Sequence, residues 1–165
     1  MKKLLTTLIL SITALSLFAQ TDWTNKSRLM PDKLKELPVG IIMSHDPNPV
    51  YPVKEGDTFY WKHHTYATAT KHTLTVIECG SFIWYDASGW HANMQYSPDD
   101  FAKAFNCPGA ILKANKTYTY QKNWRYGKQA YGGDALWYII AKDENGKLYK
   151  GTALIETEDK VLTTK

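Results

Sequence analysis

Residues 135–157 read Ala-Leu-Trp-Tyr-Ile-Ile-Ala-Lys-Asp-Glu-Asn-Gly-Lys-Leu-Tyr-Lys-Gly-Thr-Ala-Leu-Ile-Glu-Thr, and this stretch decides the fold class. Ala135 to Ala141 is apolar at every position, as a strand covered on both faces requires. Asp143-Glu-Asn-Gly146 follows, with an Asn-Gly pair that supplies positive φ for a tight reversal. Leu148 to Thr157 then returns as the partner strand. A hairpin of this kind needs neighbours to bury its faces, so the remaining apolar segments are read as strands of the same structure.

Working outward, Thr117 to Trp124 alternates, with Tyr118, Tyr120 and Trp124 on one face and Thr117, Thr119, Gln121 and Asn123 on the other. Asp57 to Thr70 is rich in aromatic and β-branched residues and reads as one long strand or two. Lys71 to Glu78 and Gly80 to Tyr85 continue the pattern, and Asp86-Ala-Ser-Gly89 reads as a turn. One helix has its own signature near residues 98–106. Ser97 is a good N-cap, Pro98 fits the first helical position, Asp99 and Asp100 favour the positive helix end, and Phe101 and Phe105 lie one turn apart. Asn106-Cys-Pro-Gly109 stops it. The resulting expectation is an all-β, antiparallel β-sandwich with one short helix.

Upstream, Met1 to Gln20 has the order of a secretory signal: Lys2 and Lys3, an apolar run from Leu4 to Phe18, and the small residue Ala19 before the expected cut. The run is shorter than a membrane span and is broken by Thr6, Thr7, Ser11, Thr13 and Ser16. This predicts a signal peptide over 1–19, a periplasmic or secreted product, and no stable membrane anchor after cleavage. Residues 20–52 read as a lead-in with a short helical candidate at Pro31 to Leu37 and one strand candidate at Val39 to Met43. The proline-rich His45 to Pro52 has no regular structure. The β-sandwich domain is expected over residues 53–158.

Loss of Lys2 and Lys3 lowers the formal charge excess from +4 to +2. The remaining basic residues form no run or stripe, which excludes nucleic acid as the expected partner. Cys79 and Cys107 are an even pair in an exported chain, so a disulfide is expected between them. No Cys-x-x-Cys motif offers a metal or redox alternative.

The stretch Val53-Lys-Glu-Gly-Asp-Thr-Phe-Tyr-Trp61 resembles the Gly-Asp-Thr-x-x-Trp strand of cupredoxins, with His72 following at a distance similar to that of their first copper ligand. Leu112 to Tyr120 and Gly133 to Gly151 resemble the strand order of that fold and of immunoglobulin-like and fibronectin-like sandwiches. The resemblance implies a Greek-key sandwich. A type 1 copper site needs a C-terminal Cys with a following His and usually a Met. No His follows His91 and no Met follows Met94, so the resemblance carries no type 1 site and implies no electron transfer.

Three functional readings remain. Six Trp, eleven Tyr and five Phe make up 13% of the chain, and several flank turn residues. Rings on loops stack on sugar faces or anchor protein partners. The leading reading is therefore an exported non-enzymatic module that binds a carbohydrate or protein through Trp90, Tyr126 and Tyr131, with no cofactor. Tyr118, Tyr120, Trp137 and Tyr138 are expected in the core. The alternative is a copper or zinc site built from His63, His64, His72 and His91, with His45, Met43 or Met94 as further donors. Adjacent residues on a strand face opposite ways, so His63 and His64 cannot share one ion by themselves. The third reading is a small secreted hydrolase, for which Ser88 and His91 are the only suggestive pair. No nucleophile elbow, His-Glu-x-x-His or phosphate loop occurs.

Overall fold

The strands follow the chain as β1 (Ile41–Asp46), β2 (Val53–Glu55), β3 (Thr58–Trp61), β4 (His64–Ala69), β5 (Leu74–Trp84), β6 (His91–Tyr96), β7 (Ile111–Leu112), β8 (Thr117–Tyr120), β9 (Arg125–Gly127), β10 (Gly133–Lys142) and β11 (Leu148–Thr157). Two short helices, α1 (Asp32–Lys35) and α2 (Pro98–Ala104), and a 3-10 turn at Pro108–Ala110 complete the set. This is a computed structural model, and it describes residues 29–84 and 88–162. The secretory reading of residues 1–19 lies outside the described residues, as do residues 85–87 of the expected turn.

The fold is all-β and sandwich-like, with antiparallel pairing throughout the strand ladders. The largest sheet runs β11-β10-β5-β6, with β7 on the end of β5; a second runs β1-β4-β8 and a third β2-β3-β9. The expected hairpin is present, pairing Gly133 with Thr157 at one end and Lys142 with Leu148 at the other. Its loop is wider than an Asn-Gly turn. The Asp143 side chain accepts from the backbone N–H groups of Asn145 and Lys147, each at 2.9 Å, and only Gly146 in this loop takes a positive φ, +80°. An aspartate that gathers nearby backbone donors competes with the two-residue turn and sets the loop length.

β10 is apolar on both faces because both faces are covered. Trp137, Ile139 and Ala141 enter the main core with Ile41, Trp61, Leu74, Val76, Phe101, Phe105 and Ile155. Leu136, Tyr138 and Ile140 point the other way and are roofed by Leu34, with Met30 and Leu37 beside it. α1 is held over that face by Lys150, whose ammonium donates to the carbonyls of Leu34 at 2.6 Å and Lys35 at 3.2 Å, and by the Lys33–Glu78 ion pair. A cation on the last carbonyls offsets the negative end of so short a helix.

The segment 29–52 is therefore part of the fold and not a lead-in to a domain beginning at Val53. β1 alternates strictly, with Ile41, Met43 and His45 buried and Ile42, Ser44 and Asp46 exposed. It pairs with β4 along its whole length. β1 also lies close to β11: a Cβ built on Gly151 would sit 2.7 Å from that of Ile41. The proline-rich segment has cis Asp46-Pro47 and Asn48-Pro49 bonds and is pinned to β11 through Asn48, which donates to the Leu154 carbonyl and accepts from Glu156 N–H. Its lack of regular structure had hidden how much of it packs.

The residues 57–70 form two strands in different sheets, β3 and β4, while Leu74–Trp84 form the single long β5. Gly80 lies within β5 because a Cβ there would come within 2.3 Å of the Met94 carbonyl oxygen and 2.7 Å of the Tyr138 hydroxyl. Val53 to Trp61, the stretch resembling cupredoxins, forms the β2–β3 hairpin of the small third sheet. α2 follows its sequence signature. Ser97 and Asp100 form a reciprocal capping box, and the Phe101 and Phe105 rings stack at 4.4 Å in the core.

Cys79 and Cys107 are corrected here from an expected disulfide to two free, fully buried thiols in the main core. Burial raises both pKa values, that of Cys107 to about 11, so neither is a ready thiolate. Each side chain packs as a small apolar group.

Candidate functional site

The alternation expected through Trp124 stops at Tyr120, where Gln121 and Lys122 turn the chain. That turn reverses the expected orientation. Asn123 becomes fully buried and Trp124 lies at the surface beside Lys62 and Lys122. The chain then re-forms as β9 against β3, placing Arg125 opposite Trp61.

Asn123 completes a buried polar chain. Its side-chain N–H donates to Thr65 Oγ1 at 2.7 Å, and Thr65 Oγ1 lies 3.0 Å from His45 Nδ1. His45 Nε2 is 3.3 Å from the Ala153 carbonyl, which assigns its proton to Nε2 and leaves Nδ1 to accept from Thr65. The His63 ring meets His45 edge-on at 5.7 Å, and His63 Nδ1 donates to the Trp61 carbonyl at 3.3 Å. Burial holds both imidazoles neutral, lowering His45 to about 4 and His63 to about 3. The Arg125 charge and the mutual repulsion of the rings act in the same direction on His63.

Arg125 joins this chain to a surface cleft. Its guanidinium lies 5.3 Å from the Trp137 ring and donates to the Trp124 carbonyl at 3.1 Å. Among the described residues it forms no ion pair. Burial lowers its pKa, which the nearby Tyr96, Tyr120 and Tyr131 oxygens partly oppose. The cleft above it is about 260 Å³ and largely apolar, lined by Arg125, Trp84, Tyr131, Asn93, Asp134 and Thr157 among others. Two larger grooves, of about 450 and 560 Å³, open elsewhere, the first beside Lys103 and Lys116 and the second beside Lys71 and Asp143.

Of the three rings expected to bind, one reaches this cleft. Tyr131 lines it directly, half-exposed, with one face against Trp61 at 4.1 Å and its edge resting on Gly127, where a Cβ would come within 3.1 Å. Tyr126, the neighbour of Gly127, is 74% exposed and leans on Tyr60 at 6.3 Å. Trp90 is half-buried. Its indole donates to the Leu29 carbonyl and its ring meets Trp84 edge-on at 5.5 Å. Trp84 therefore links Trp90 to the cleft, a role hidden in the sequence because it lies within a strand pattern. Arg125 was also missed there, since an isolated arginine after a turn carries no motif.

The four histidines expected at a metal site separate. His63 is in the buried chain, His64 starts β4 near Tyr66, His72 lies near Tyr149 at the other end of the β sheets' loops, and His91 starts β6 beside Ser88. Among the described residues no three His, Cys, Asp or Glu side chains form a metal-holding group. Ser88 Oγ lies 2.9 Å from His91 Nε2 at the surface. Hydrolysis would further require a group orienting His91 and donors for an oxyanion.

No protein-family profile matches the chain, and no curated protein matches it. Among solved structures, a structural-genomics target from Bordetella pertussis described as an ApaA protein aligns over 73% of this chain and 96% of its own, with 16% identity and a TM-score of 0.44.

Proposed function

We propose that this protein is an exported, non-enzymatic binding module that receives a sugar-sized ligand in the cleft above Arg125. The observation carrying this reading is the convergence of Tyr131 and Trp84 on an apolar-lined space of about 260 Å³ with a buried cation beneath it. Ligand sites combine apolar walls with a few placed polar groups, and this volume is at the small end of their range, enough for about one ring. Aromatic faces complement the C–H faces of a sugar ring. The leader-like Met1 to Gln20 supports export, and the cupredoxin- or immunoglobulin-like likeness of Val53 to Trp61 supports a sandwich presenting its binding loops at one end.

A titration followed by tryptophan fluorescence tests this. Neutral and acidic saccharides are expected to perturb the emission of the wild-type protein, and Tyr131→Ala is expected to weaken the best of them about tenfold, or about 1.4 kcal/mol, with the far-UV circular dichroism unchanged. Saturating saccharide that leaves both emission and thermal midpoint unmoved would contradict the reading.

A further inference from the structure

Among the described residues, the buried side-chain nitrogen and oxygen atoms that lack a partner are His63 Nε2, His64 Nδ1, Asn123 Oδ1, Arg125 Nη2 and Trp137 Nε1. Four of them belong to one connected cluster. Asn123, Thr65, His45 and His63 form the polar chain, and Arg125 packs on Trp137 and bears electrostatically on both histidines. Buried polar groups are otherwise almost always satisfied, and an unpaired buried cation is costlier still. Such a concentration in one place marks where a partner belongs.

The chemistry of the four atoms restricts that partner. Arg125 Nη2 and Trp137 Nε1 can only donate. His63 Nδ1 is committed to the Trp61 carbonyl, so the neutral ring presents Nε2 as an acceptor, and Asn123 Oδ1 accepts because its amide nitrogen is given to Thr65. Of these residues only Arg125 lines the cleft, so an occupant there must offer oxygen to its unpaired N–H, best as an anion. Asp134 also lines the cleft, and it forms no ion pair with Arg125.

We propose that the cleft selects a hydroxylated carboxylate of about one ring, a sugar acid, with Arg125 receiving the carboxylate and the Tyr131 ring packing on the sugar. This rests on the binding reading above and names its ligand class. Binding draws the acid inward past Tyr131, so the rim ring packs on the sugar while the guanidinium gains the charge it lacks. Charge-assisted hydrogen bonds to arginine are among the stronger ones available.

The test compares three probes on the whole exported chain by calorimetric titration: glucuronate, the neutral methyl glucoside and benzoate. Glucuronate is expected to bind at least tenfold more tightly than the glucoside. Arg125→Met is expected to erase that preference, and Arg125→Lys to keep part of it, with thermal melts confirming that both variants are folded. Equal binding of glucuronate and glucoside, with Tyr131→Ala still weakening both, would overturn the sugar-acid assignment and leave the binding module standing. Benzoate binding as tightly as glucuronate would overturn the sugar half of the assignment. Failure of every saccharide together with no effect of Tyr131→Ala would remove the binding module itself.

Discussion

Lowering the pH from 7.5 to 4.5 is expected to remove on the order of 5 kcal/mol of folding stability through His45 and His63 alone. In the unfolded chain both imidazoles protonate near 6.5. In the fold burial delays this to about 4 for His45 and about 3 for His63. Between those values the unfolded state binds more protons than the native state. The contribution is thus fully present above pH 6.5 and is lost as pH falls through the two folded values. The groups facing the pair reinforce it: Arg125 repels a proton on either ring, and His45 and His64 repel one on His63. The accepting carbonyls of Ala153 and Trp61 oppose it, and burial outweighs them.

Carboxylates act at lower pH. Burial would raise Glu78, but hydrogen bonds from Lys33 and Tyr138 outweigh it and hold the carboxyl below its ordinary value. Its contribution is present above that ordinary value and disappears only as pH falls below it. Small domains hold about 5–15 kcal/mol in total, so the histidine pair is enough to bring the protein near its unfolding threshold. Urea midpoints at pH 7.5, 6.5, 5.5 and 4.5 measure the effect, and His63→Leu is expected to flatten the profile by about half. A wild-type midpoint constant from pH 7.5 to 4.5 would show that these rings are not held neutral in the fold.

Trp137→Ala is expected to cost about 3–5 kcal/mol, the range for emptying a fully buried aromatic position. Trp137 has no exposed surface, and it lies within 6.4 Å of both Tyr96 and Tyr120 while carrying Arg125 on its face. Truncation would open a cavity between the sheets and leave the guanidinium without its aromatic support. Trp137→Phe separates packing from polarity. It keeps most of the ring and removes an indole N–H that is buried without a partner, so its cost is expected to be about 1 kcal/mol or less. Equilibrium denaturation of both variants checks the contrast. Equal losses for Ala and Phe would mean that the indole N–H carries stability in the folded protein, contrary to the arrangement described.

The β10–β11 pairing and the start of α2 were legible because hydrophobic patterning and local turn chemistry agree over Ala135 to Thr157 and over the Ser97 cap. The same cues also separated Tyr118, Trp137 and Tyr138 as core residues. What failed was context. Ile41 to Asp46 alternates, but it stands among prolines and charges that suggested a lead-in, and only its pairing with β4 and close approach to β11 make it interior. The turn at Gln121 and Lys122 has no glycine or proline to announce it, and missing it inverted Asn123 and Trp124.

The site was legible in part for a related reason. Tyr131 and Trp90 stand beside glycines, which marked them as loop rings, and Tyr131 does line the cleft. Arg125, His45 and Asn123 are scattered through the sequence and acquire meaning only where three sheets meet. Compartment reasoning favoured pairing Cys79 with Cys107, whereas their burial among apolar side chains accounts for both as free core thiols.

The claim on which the account depends is that the Arg125 cleft is a ligand site, and the indole N–H signals report on it directly. In a proton–nitrogen correlation spectrum of the protein, adding glucuronate is predicted to shift the indole resonances of Trp84, Trp90 and Trp137 in a saturable manner, with methyl glucoside producing smaller shifts at the same positions. Spectra in which none of these three indoles moves at saturating glucuronate would contradict it.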